Sequence, residues 1–208
     1  MSTASKRTRE KVIRLWTSRE VEDFYIGWGI SDEFPWYSAF FYAQGLEKIC
    51  KAYFLGKRSF EYESLSETEA RKRIDKIVRE YGHSLSRMIE QIISDKEILL
   101  EKYPSYADKN IKVVEKPKIE ILEQAYTECR YPVPVPISRY YKITKDGSMG
   151  QYPFDSSDLE EFAFKVGNTI IQRIGKDYSL SIKRESPISP INETSWEVFS
   201  SLFFKDTE

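Results

Sequence analysis

The sequence predicts an all-α fold, an up-and-down helical bundle, and three observations carry the prediction. A Ser or Thr stands three residues before a Glu at Thr17–Glu20, Ser66–Glu69, Ser157–Glu160 and Thr194–Glu197. At that spacing the hydroxyl and the carboxylate can each satisfy a backbone N–H that the first helical turn leaves orphaned. Apolar residues recur at helical spacing behind each of these boxes. Residues 36–55 are apolar around most of a helical circumference, as suits a helix enclosed by others.

Val21, Phe24, Tyr25 and Trp28 follow the first box, so a helix is expected over about 11–29, with a break near Thr17. The segment ahead, Met1–Arg14, sets Lys6, Arg7, Arg9, Lys11 and Arg14 against Glu10 and reads as a disordered arm or a fraying first turn. Gly27, Gly29, Ser31 and Asp32 mark a turn. Pro35 suits a first helical position, where its missing N–H would be unpaired anyway, and Gly56 reads as the stop of the same helix. Ala70, Ile74, Ile77 and Tyr81 line one side of a helix over about 67–81. Gly82 interrupts it, and Leu85, Met88, Ile89 and Ile92 resume the stripe in a helix over about 84–100. Ile119, Leu122, Tyr126 and Cys129 place another over about 117–129.

Pro132, Pro134 and Pro136 alternate with valine and favour an extended strip, and Lys145–Ser148 signals a turn. A long Pro- and Tyr-rich connection is therefore expected over about 130–155. A last long helix opens at Ser157, with Leu159, Phe162, Val166, Ile170 and Ile174 facing inward; Gly167 either permits a close helix contact or simply costs about 1 kcal/mol relative to Ala. Tyr178, Leu180 and Ile182 alternate as one short strand would, and a short helix follows Thr194. One helical domain is expected over 1–208, with a core of about 17–100 plus 156–176.

Composition narrows function mainly by exclusion. Thirty-two basic and 33 acidic side chains leave a net charge of −1, so only a local patch could attract nucleic acid. Cys50 and Cys129 lie far apart on apolar patterns and read as buried free thiols of a reducing, cytoplasmic setting. No CxxC occurs and there is a single histidine, so no metal and no cofactor is expected. No run of about 18 apolar residues suggests a membrane span, and the basic N-terminus lacks the apolar core of a secretory signal.

Two stretches carry a resemblance: Ala43-Gln44-Gly45-Leu46-Glu47-Lys48-Ile49-Cys50-Lys51-Ala52 and Gly82-His83-Ser84-Leu85-Ser86-Arg87-Met88-Ile89. Together they resemble the HEPN domain, a helical bundle of prokaryotic toxin, defence and nucleotidyltransferase-associated proteins. The resemblance covers about 36–95 and, more loosely, 158–176. It implies a bundle, a homodimer, and a partner protein encoded nearby. Catalytic members of that family are metal-independent endoribonucleases that use an Arg and a His separated by four to six residues. Here Arg71, Arg73 and Arg79 leave gaps of eleven, nine and three residues before His83, and none fits. The position of His83 matches the structural His that opens a helix in the family, so ribonuclease activity is not implied.

Four groups of residues remain as candidates. Gln44, Glu47, Lys48 and Lys51 form a polar edge on the apolar helix, with Glu47 and Lys51 ordered for an ion pair. The edge reads as a solvent edge, or as a pocket where Lys48 or Lys51 meets a phosphate or an acidic partner. Lys72, Lys76, Arg79, His83 and Arg87 share an arc of about 80° if the helix runs on past Gly82. Such a row could track RNA phosphates, and a solvated face diluted by Asp75 and Glu80 explains it equally. His83 is a candidate general base or a capping residue, with no acid nearby in sequence to support the first role. Arg130, Tyr131, Arg139, Tyr140, Tyr141, Lys142 and Tyr152 interleave cations and aromatics, as single-strand binders do and as a packed connection also would. The leading expectation is a non-catalytic module that binds a partner protein, a nucleotide or RNA, in a toxin–antitoxin or defence setting. The alternatives are an endoribonuclease using His83 with Arg79 or Arg87, and a structural subunit without a ligand.

Overall fold

Pro35 starts the central helix, and everything else is arranged around it. The computed structural model describes residues 3–95, 97–102, 117–130, 156–180 and 193–204. In it α1 (Thr3–Gly29) and α2 (Pro35–Lys57) form an antiparallel hairpin. Phe24 lies against Gly45, Tyr42 against Gly27, and Ile13 against Gly56. On the other sides of α2 pack α6 (Lys118–Arg130) and α7 (Ser156–Tyr178). α3 (Glu67–Glu80), α4 (Leu85–Glu90) and α5 (Glu97–Leu100) bridge the margin, and α8 (Glu193–Phe203) closes over α1. The described residues form an all-α bundle without strands, and no helix among them is long and apolar enough to cross a membrane.

Small residues let the helices approach. A Cβ on Gly45 would come within 2.8 Å of the Phe24 ring, and one on Gly167 within 3.2 Å of it. Phe24 therefore fills the hollow between α2 and α7, and of the two readings of Gly167 the close contact holds. Phe203 lies tilted at 4.9 Å from the Phe24 ring, and Phe164 approaches edge-on at 5.8 Å. Such offset and edge-to-face pairs add to the burial of the rings. Leu159, Phe162, Val166, Ile170 and Ile174 are buried along α7, as their spacing predicts.

Several boundaries differ from the sequence expectation for identifiable reasons. α1 runs unbroken from Thr3, so the first capping box caps nothing and residues 3–14 are helical. Thr17 is buried and its hydroxyl donates backward to the carbonyls of Ile13 (3.0 Å) and Arg14 (3.1 Å), an alternative open to a mid-helix threonine. Gly56 does not stop α2, which ends one residue later, because it is a contact point: a Cβ there would lie 2.5 Å from the Tyr178 ring. The helix expected over 84–100 is instead two short ones, with Gln91–Asp95 in turns between them. Tyr178 closes α7 rather than entering a strand, its hydroxyl donating to the Tyr53 carbonyl at 2.7 Å. The second box is a cap: Ser66 and Glu69 satisfy each other's backbone N–H groups at 3.2 and 3.4 Å. Ile182 and the Pro- and Tyr-rich connection, from Tyr131 through Arg139, Tyr140, Tyr141, Lys142 and Tyr152, lie outside the described residues.

Candidate functional site

Gly82 decides where the site forms. Its φ of +64° is a left-handed conformation that glycine adopts without steric cost. The chain turns there, so α3 does not run into α4. The basic row expected over Lys72, Lys76, Arg79, His83 and Arg87 is therefore not one helical row. Lys72, Lys76 and Arg79 remain together on the exposed face of α3, while Arg87 is exposed on the separate α4. Arg79 is engaged by Asp75 at 2.8 Å, and Lys72 and Lys76 have no ion-pair partner among the described residues. Ser84, not His83, is the N-cap residue of α4.

The turn delivers His83 to Glu47 on α2, 36 residues away in sequence. His83 Nδ1 lies 3.0 and 3.2 Å from the two Glu47 carboxylate oxygens, and 3.1 Å from the Tyr126 hydroxyl of α6. Lys51, one turn further along α2, donates to the same carboxylate. Glu47 and Lys51 are both buried, whereas the His83 side chain is 58% exposed. Burial pushes the Glu47 carboxyl up. Lys51, Tyr126 and His83, through hydrogen bonds and the lysine charge, outweigh it and hold the group below its ordinary range. A carboxylate so supplied is an acceptor, which fixes the proton on Nδ1 and leaves Nε2 as the ring nitrogen available to a partner.

The polar edge of α2 is thus divided. Glu47 and Lys51 are not a solvent edge but a buried pair under His83. Lys48 turns the other way and meets Asp23 of α1 at 2.6 Å. Gln44 is half-buried one turn before them. Lys48 and Lys51, expected to meet a phosphate or an acidic partner, are each paired with a carboxylate of the chain itself.

α6 supplies a second contact that spacing alone did not reveal. Glu123 accepts from the Ser86 backbone N–H and hydroxyl, both at 2.9 Å, and from the Ser84 hydroxyl at 3.2 Å. It fastens the first turn of α4, and with it the segment bearing His83, to the helix that bears Tyr126. Tyr126 entered the sequence pattern only as a core position. The signal that could have marked it is a hydroxyl on an otherwise apolar stripe, since a buried tyrosine OH needs a partner. Cys50 is buried, Cys129 is half-buried, and neither forms a disulfide. No family model matches the chain, and neither a curated protein nor a solved structure matches it.

Proposed function

We propose that this chain is a non-catalytic, HEPN-like interaction module whose contact point for RNA or a nucleotide is His83, with Nε2 accepting from a ribose hydroxyl or a base N–H. The observation that carries the reading is the Glu47–His83 pair, an exposed imidazole held at one nitrogen by a buried, charge-compensated carboxylate. A ring fixed in this way loses little freedom on binding, and preorganisation of this kind favours affinity. Lys72 and Lys76, exposed on α3, supply diffuse attraction for phosphates. Association into a homodimer and a partner protein of a toxin–antitoxin or defence system belong to the same proposal.

A mobility-shift titration of the purified chain with mixed single-stranded RNA at two salt concentrations tests it. Binding should weaken as salt rises. His83→Ala should reduce affinity, and the pair Lys72→Glu and Lys76→Glu should abolish it while the circular dichroism stays helical. Binding with no salt dependence, or binding indifferent to these variants, removes the reading. No binding to RNA or nucleotide at low salt favours a structural subunit instead.

A second reading, a metal-independent endoribonuclease, draws support from the same pair. Orientation of an imidazole by a carboxylate is what a general base needs. Arg79, bound to Asp75 on the far side of the Gly82 turn, is a poor companion for it. Arg87, exposed on α4, is the better candidate. RNA cleavage by the wild-type chain that disappears in both His83→Ala and Glu47→Gln would establish this activity; absence of cleavage leaves the binding module.

A further inference from the structure

On the opposite edge of α2 lies a polar group that the His83 site does not use. Glu20 of α1 is fully buried, and both of its carboxyl oxygens lack a hydrogen-bond partner. Thr17, one turn earlier, cannot serve it, because its hydroxyl is committed to the Ile13 and Arg14 carbonyls. The charged and titratable groups facing Glu20 are Asp23 on α1 and, across the hairpin, Lys48 and Cys50 on α2. Lys48 is bound to Asp23 at 2.6 Å and remains about one-third exposed along its length.

A carboxylate cannot remain ionised in so dry a place without a donor, so Glu20 carries its proton in this arrangement. Burial, the largest effect, and the negative charge of Asp23 act in that direction, against the weaker charge of Lys48. Glu20 and Asp23 are three residues apart on one helical face, so both lie within the sweep of a flexible lysine on the facing helix. We propose that Glu20, Asp23 and Lys48 form a proton-gated latch across the α1–α2 hairpin. While Glu20 is protonated, Lys48 belongs to Asp23. When Glu20 loses its proton, the ammonium group swings to Glu20, and Asp23, itself buried, loses its partner. The hairpin then keeps its helices but changes the tie between them, in a pH-dependent manner that the exposed ion pairs of the bundle do not share.

Carboxyl-carbon NMR titration of the full chain, labelled at Asp and Glu and assigned through the backbone, tests the latch. The Glu20 carboxyl carbon should titrate at a clearly higher pH than those of exposed glutamates such as Glu67 and Glu90. The Asp23 carboxyl carbon should show a second step with the same midpoint, marking the departure of Lys48. Glu20→Gln should erase that second step while leaving the other carboxylates unmoved. Titration of Glu20 together with the exposed glutamates would overturn the proposal. So would an Asp23 signal that stays still while Glu20 titrates, a result that the wild-type chain alone can give.

Discussion

Glu47 and Lys51 lie where a one-sided substitution is most costly. Removing one member of a buried ion pair leaves the other charged and unpaired, which typically costs about 3–5 kcal/mol. Glu47→Ala should therefore lower the urea midpoint strongly. Glu47→Gln should cost less, because an amide oxygen still accepts from Lys51. The two buried carboxylates also predict opposite pH slopes. Glu20, and Asp23 to a lesser degree, are raised above their ordinary values mainly by burial. Above the ordinary Glu value of 4.5 the unfolded chain releases a proton that folded Glu20 retains, so stability falls as pH rises toward the folded pKa. Glu47 is held low by Lys51, Tyr126 and His83 against the effect of burial, and its contribution is lost as pH falls below 4.5 toward its folded pKa. Urea midpoints measured across pH should show Glu20→Gln flattening the decline on the rising side and raising stability at neutral pH. Glu47→Gln should flatten the decline on the acid side.

At the scale of the elements, local chemistry was legible wherever it was decided locally. Pro35 begins α2, and Ser66 and Glu69 cap α3, as their spacing requires. Ser66→Ala should cost about 1 kcal/mol, read from a thermal or urea transition. Thr17-Ser18-Arg19-Glu20 has the same spacing and a different fate. Packing of Ile13, Val21 and Phe24 into the core keeps α1 continuous, and the capping groups turn inward. Gly56 and Gly82 were both read as interruptions, yet only Gly82 is one. Gly82→Ala should cost about 1–2 kcal/mol for its left-handed φ and should loosen His83 from Glu47. Gly56→Ala should cost about 1–3 kcal/mol by overpacking against Tyr178. Helical periodicity cannot separate a glycine that turns the chain from one that admits a ring.

Over the whole molecule, the apolar girth of residues 36–55 was enough to place α2 at the centre of an all-α bundle. The site was not legible in the same way, because its members come from three helices and a turn. Glu47 and His83 meet across 36 residues of chain, and Tyr126 joins them from a further 43 residues away. Spacing along α2 grouped Gln44, Glu47, Lys48 and Lys51 correctly as polar. It could not tell that Lys48 would be drawn to α1 while Glu47 and Lys51 were enclosed between α2 and the His83 turn. The basic row is divided because its continuity depended on a helical backbone at Gly82, which takes a φ of +64° instead.

The central claim is that Glu47 fixes the His83 imidazole with its proton on Nδ1. Because His83 is the only histidine in the chain, nitrogen-15 NMR of the imidazole ring reports on it without ambiguity. The neutral ring of the native protein should be predominantly the Nδ1–H tautomer, and Glu47→Gln should shift it toward the tautomer mixture of a histidine free in water. A wild-type ring already in that mixture, unchanged by Glu47→Gln, would contradict the account.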